Sequence, residues 1–198
     1  MALRLSPEVR RARIVETAMA IIDAEGHRGL TMAELARRCE MSTPGLMHYF
    51  PDIATLLVAV VQHRDERDRD TLEQRLGPRP GEGAGGEGPD LAGPPARDVL
   101  DAIVDNIVER PWAAQLFAMV EADALDPTHP GHDYFRERAE SLAAWLVESP
   151  GGPGDLAGAR RVFAAMDGLQ LHFLRDPAGF DLRSQWDAVA DALMPRHA

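Results

Sequence analysis

The residues best able to do chemistry fall into three groups. Asp126, His129, His132 and Asp133 pair imidazole with carboxylate, a donor set suited to zinc and similar ions. They lie in a Pro-rich turn with no preceding Cys or His-Glu-x-x-His pattern, so no metal is expected there. Cys39 follows Arg37 and Arg38, a setting that raises oxidant sensing, but a single thiol without a resolving partner reads as a small core residue. The third group is Thr31 and Ser42, the latter followed by Thr43, Gly45, His48 and Tyr49. A hydroxyl beside the free N–H groups of a helix start can hold a phosphate oxygen, and small polar residues allow close approach to another surface. No nucleophile with a nearby base and no phosphate-cradling loop can be named, which disfavours an enzyme and leaves no cofactor to expect.

Helices must position that third group. Ser6-Pro7-Glu8 reads as an N-cap with Pro in the first turn, and Ile14, Ala18, Ile21 and Ile22 recur at helical spacing, giving a helix over about 7–25 that stops at Gly26. Thr31-Met-Ala-Glu34 is a capping box, in which hydroxyl and carboxylate each satisfy a free N–H, and opens a helix over about 32–38. Ser42 caps a third helix, with Pro44 tolerated in its first turn, that ends near Tyr49. A fourth helix from Pro51-Asp52 to about 75 carries Ile53, Leu56, Leu57 and Val60 on one face, the first three expected to pack on the preceding helices. It is also expected to be the only element joining the two halves of the chain.

Residues 77–95 are almost all Gly, Pro or acid and are expected to form a mobile loop. Beyond it, apolar periodicity predicts helices from Val99 to Val108, from Pro111 through Val120, over 134–147, over about 156–175 and over about 182–193, with turns at 126–131 and 149–154. No strand pattern appears, so the class is all-α.

A short helix, a turn at Cys39, Glu40 and Met41, and a second short helix have helix-turn-helix spacing, which an ordinary helical hairpin shares. Residue identity adds more. From Arg10 to Leu57 the sequence resembles the DNA-binding domain of the tetracycline-repressor (TetR) family, through Ile14 and Ala18, Leu30-Thr31-Met32, Leu35-Ala36, Met41-Ser42, Leu46, Tyr49-Phe50-Pro51 and Leu56-Leu57. Asp126-Pro-Thr-His-Pro and Asp167-Gly168-Leu169-Gln170 look like segments of that family's second domain. The resemblance implies a three-helix DNA-binding domain over 1–50 and a larger helical ligand-binding and dimerisation domain over 51–198.

It also implies DNA contact from Thr31, Ser42, Thr43, Pro44, Gly45, Met47, His48 and Tyr49, with Tyr49 on a phosphate and Ser42, Thr43, Gly45 and His48 facing the bases. Thr31 and Ser42 cap their helices whether or not DNA is present. The sequence departs from the family pattern at three places. Glu40 stands where Gly is usual, so a left-handed residue there costs roughly 1–2 kcal/mol and a differently shaped turn is open. Met47 replaces a common aromatic residue, and Ile53 replaces a common Lys, which removes one phosphate contact; Arg10, Arg11, Arg13, Arg37 and Arg38 are the cations placed to compensate.

Charge divides in the same way. Residues 1–50 hold seven Arg against six acids, and the remainder 14 Arg against 26 acids, within a net charge of −11. An acidic second part favours a cationic or neutral apolar effector over an anionic one. Polar residues beside apolar stripes mark candidate ligand contacts at Asn106, Gln115, Glu121, His132, Tyr134 and His172, with Trp112 and Trp145 as aromatic lining. Val162, Met166, Leu169, Leu182, Trp186, Val189 and Leu193 offer more apolar surface than one core is expected to absorb, pointing to a homodimer and hence a pseudo-palindromic operator. With no signal-peptide pattern and no membrane-length apolar run, a cytoplasmic regulator is expected, most simply a repressor released by a small molecule; the alternatives are a helical small-molecule-binding enzyme and an interaction protein without DNA binding.

Overall fold

The computed structural model describes residues 6–77 and 93–194. Among them are α1 (Pro7–Glu25), α2 (Met32–Arg38), α3 (Thr43–Met47), α4 (Ile53–Leu76), α5 (Ala96–Glu109), α6 (Pro111–Asp123), α7 (His132–Glu148), α8 (Leu156–Arg175) and α9 (Leu182–Leu193), with a short 3-10 turn at His27–Gly29 and no strand. The all-α class expected from periodicity is therefore the observed one. Most of 77–95, the expected mobile loop, lies outside the described residues.

Caps explain why the boundaries fall where they do. Ser6 Oγ accepts from Val9 N at 3.3 Å, Thr31 Oγ1 from Glu34 N at 3.1 Å, Ser42 Oγ from Gly45 N at 3.2 Å, Asp155 Oδ1 from Gly158 N at 2.6 Å and Asp181 Oδ1 from Ser184 N at 3.1 Å. Each satisfies a donor that the helix itself leaves unpaired. Several boundaries differ from the periodic reading: α3 stops at Met47 with His48 and Tyr49 in a turn, α5 begins at Ala96, three residues early, and α7 begins at His132, two residues early.

The chain forms two compact units. The first comprises residues 1–67 and 116–133, the second 68–115 and 134–198. Helices α4, α6 and α7 thus each contribute to both, whereas α4 alone was expected to. In the first unit Ile14, Val15, Ala18, Ile21 and Ile22 of α1, Leu35 and Ala36 of α2, Leu46 of α3, Phe50 and Leu56 are buried, as are Leu116, Val120 and Ala124. Ile53 departs from its expected packing and is exposed, because it falls in the first turn of α4 beside the capping residue Asp52.

In the second unit α9 packs on α8 and α5 around Leu100, Val104, Leu146, Val162, Met166, Phe173, Leu182, Trp186 and Ala190. This corrects the reckoning of surplus apolar surface: Val162, Met166, Leu182 and Trp186 are spent in this core, and Leu169 and Leu193 pack half-buried against it. At its edge the buried guanidinium of Arg97 meets three carboxylates. Its Nε donates to Asp101 at 2.6 Å, its Nη1 to Asp191 at 2.7 Å and its Nη2 to Asp187. Trp186 Nε1 donates to the same Asp101 oxygen at 2.7 Å, and Arg183 Nε reaches Asp105 at 2.5 Å, so charge as well as packing holds α9 to α5.

Arg97 is 8% exposed, whereas Asp187 and Asp191 are 61% and 62% exposed. Losing the central cation should therefore cost far more than losing one rim carboxylate. Arg97→Ala is expected to lower unfolding free energy by about 2–3 kcal/mol and Asp187→Asn by less than about 1 kcal/mol, measured by urea unfolding followed by Trp fluorescence. Equal losses would show that the cluster is not centred on Arg97.

Candidate nucleic-acid interface

The two short helices α2 and α3 pack on each other, and α2 packs on α1. Between them the chain turns through Glu40, whose φ is 54°. Met41 N donates to Ala36 O at 2.9 Å and Glu40 N to Arg37 O at 3.2 Å. These two bonds are those of a Schellman cap, which needs a left-handed residue after the helix. The turn thus keeps the shape that Gly would give it, and Glu40 carries the backbone cost.

Helix α3 has five residues, and its orientation is fixed by what lies beneath it. Leu46 and Phe50 are fully buried. Arg11 of α1 lies over the Phe50 ring at 4.1 Å from its centroid, and its Nη1 donates to Tyr49 O at 3.1 Å. Arg11 is thereby a support for the end of α3, a role that a separation of 38 residues kept out of sight in the sequence. With Leu46 inward, Pro44, Met47 and His48 form the exposed stripe, as the i, i+3, i+4 spacing of one helix face requires. Thr43 and Gly45 are half-buried at its flank, Ser42 Oγ is engaged in the cap, and Tyr49 is half-buried with its ring edge-on to His48 at 5.7 Å. Thr31 is exposed at the start of α2, its hydroxyl on Glu34 N.

The capping box is half realised. The Glu34 carboxylate turns to Arg37 Nε at 2.8 Å and Arg38 Nε at 2.6 Å, and Arg38 also pairs with Glu25 at the end of α1. Hydrogen bonds from Arg37 and Arg38 hold the Glu34 carboxyl down to about 2. Two of the five cations expected to compensate for Ile53, Arg37 and Arg38, are therefore tied to carboxylates of their own unit. Asp52 caps α4 through Thr55 N at 2.7 Å, and its hydrogen bonds with Thr55 lower its carboxyl as well.

The Asp126–Asp133 turn spends its polar atoms on its own shape. Asp126 Oδ1 accepts from Thr128 N and Oγ1 at 2.8 and 2.9 Å, His129 Nδ1 accepts from Gly131 N at 3.2 Å, and His132 Nδ1 lies 2.9 Å from Ala124 O. Of the candidate ligand contacts, Glu121 and His132 belong to the first unit; Asn106, Trp112, Gln115, Tyr134, Trp145 and His172 belong to the second. Gln115 and His172 are exposed, the latter stacked on Phe180 at 5.8 Å. Tyr134 lies edge-on to Phe135 at 5.2 Å, and Trp145 packs half-buried on the second unit's core.

A capped helix, a left-handed turn and a second helix held by its buried side define a helix-turn-helix domain. Residues 14–60 match the model of "Bacterial regulatory proteins, tetR family". This segment is similar to a tetR-family domain, and the chain shares the all-α fold of solved TetR-type structures. The chain is 41% identical over 56 residues to an HTH-type transcriptional regulator BetI of Paraburkholderia phymatum, covering 28% of this chain and 29% of that protein. A BetI of Burkholderia thailandensis matches at 39% over the same length and the same shares. The match thus spans less than a third of these relatives. Among solved structures, a TetR transcriptional regulator from Rhodococcus sp. RHA1 superimposes with a TM-score of 0.68 at 17% identity over 98% of this chain and 100% of that one. The multidrug binding protein EbrR complexed with ethidium gives 0.66 at 21% identity over 96% and 99%.

The Glu34 cluster makes a pH prediction. A carboxyl lowered from 4.5 to about 2 contributes stability that is present above about 4.5 and lost as pH falls through about 2. Carbon-detected NMR titration should place Glu34 near 2 in the native protein, returning toward 4.5 in the Arg37→Ala/Arg38→Ala double variant. Titration near 4.5 in the native chain would contradict the arrangement.

Proposed function

We propose that the protein is a dimeric DNA-binding transcriptional regulator, a repressor that a small-molecule effector releases from its operator. The observation that carries this reading is α3: a five-residue helix anchored by Leu46 and Phe50, with Pro44, Met47 and His48 turned outward. A single helix of this kind fits the major groove, while Thr31, at the start of α2, and Tyr49 are placed for phosphates. The tetR-family match over residues 14–60 and the regulators among the relatives support it.

Two observations bear on the rest of the reading. The acidic second part suits a cationic or neutral apolar effector. Dimerisation through α8 and α9 would use the side that the core leaves open, where Ala157, Ala164 and Leu171 of α8 and Ala188 and Ala192 of α9 are exposed. Two-fold symmetry then gives a pseudo-palindromic operator. Release requires the effector to favour the DNA-incompetent arrangement. Because α4, α6 and α7 each contribute to both units, they are the elements through which that preference would reach α3. A non-enzymatic, cytoplasmic role follows from this reading, and no described helix is long and apolar enough to cross a membrane.

The test is a mobility shift with the full chain and the DNA upstream of its own gene. Specific retardation is expected, and both Thr43→Ala and His48→Ala should change which sequences are preferred. Wild-type affinity and preference in both variants would refute docking through α3, and an absence of sequence-specific retardation would refute the regulator.

A further inference from the structure

The exposed stripe of α3 is chemically unusual for a surface that must tell base pairs apart. Between Ser42 and Tyr49 the sequence is Ser-Thr-Pro-Gly-Leu-Met-His-Tyr, without Arg, Lys, Asn, Gln, Asp or Glu. Those are the side chains that make bidentate bonds to guanine and adenine or accept from cytosine in the major groove. Of the hydrogen-bonding groups that remain, the Ser42 hydroxyl accepts from Gly45 N, Thr43 is half-buried at the flank of the stripe, and Tyr49 is half-buried with its ring edge-on to His48. The stripe therefore offers one polar ring, His48, beside a Pro44 ring and the Met47 thioether.

Met47 is 48% exposed, although the neighbouring Leu46 and the nearby Phe50 are fully buried. It is not needed by the core beneath, and its flexible, polarisable side chain can adapt to an irregular apolar surface. In the major groove the one apolar group that distinguishes a base pair is the 5-methyl of thymine.

Resting on the reading that α3 enters the major groove, we infer that Met47 is a specificity-determining residue that seats against a thymine methyl, so that this helix reads its operator chiefly by apolar contact. Pro44 extends the apolar surface along the same stripe, and His48 supplies the hydrogen bond that fixes register. Each operator half-site then contains one thymine whose methyl group matters, and the side chain at 47 sets that requirement.

The experiment uses the full chain, an operator selected from random duplexes, and fluorescence anisotropy. Each thymine is replaced singly by deoxyuridine, which removes only the methyl group. One position per half-site should weaken binding by about fourfold, the loss expected for one buried methyl-sized group. Met47→Ala should bind the thymine operator more weakly and become indifferent to uracil there, whereas Met47→Leu should keep the discrimination. Because Met47 is exposed, the alanine variant should fold, which helical circular dichroism checks. A flat uracil scan with specific binding intact overturns the inference while the regulator reading stands, and so does a Met47→Ala variant that still discriminates. Selection that enriches no sequence overturns both.

Discussion

A helix of five residues cannot hold itself in water, where isolated helices shorter than about 12–15 residues are marginal. What holds α3 is the burial of Leu46 and, one turn on, of Phe50. Fully burying side chains of this size contributes about 1.5–3 kcal/mol each, more than the helix's own bonds can supply. Arg11 reinforces the same point by covering the Phe50 ring and bonding Tyr49 O. Once Leu46 points inward, helical geometry leaves no choice about what points outward. The exposed stripe of Pro44, Met47 and His48 is a consequence of the core.

The remainder of the first unit serves that placement. The caps at Thr31 and Ser42 start α2 and α3, and the Schellman bonds through Glu40 set the angle between them. Arg38 joins the end of α1 to α2 by pairing with both Glu25 and Glu34. Inclusion of residues 116–133 in this unit gives it a part of α6 and the following turn, which Asp126 and His129 shape by accepting from Thr128 N and Gly131 N. In the second unit Arg97 has a comparable place. It draws two carboxylates of α9 and one of α5 onto a single buried guanidinium, and so fixes the helix that brings Trp186 into the core.

Helix positions were legible in the sequence because their determinants are local: a hydroxyl or carboxylate cap, Pro in the first turn, apolar residues three and four apart. The helix-turn-helix was legible because its residues match a family pattern within fifty positions. What lay out of sight was set by partners far along the chain. Nothing near Arg11 announces Tyr49 and Phe50, and nothing near Arg97 announces Asp187 and Asp191. Periodicity marks an apolar face without saying what covers it, which is why Val162, Met166, Leu182 and Trp186 read as interface and lie in the core. It also overlooked that the Glu34 carboxylate has Arg37 and Arg38 within reach on its own helix face. Polarity beside an apolar stripe marks exposed positions such as Gln115 and His172 as readily as enclosed ones.

If α3 enters the major groove as proposed, its outer face is the surface that meets DNA. The chain has eight methionines, and their methyl groups can be isotope-labelled and observed separately by NMR. On adding a duplex carrying the selected operator, the exposed Met47 methyl should shift and broaden, while those of Met166 and Met194, buried in the second unit's core, should change little. An unperturbed Met47 signal under conditions where the protein is fully DNA-bound would contradict the claim.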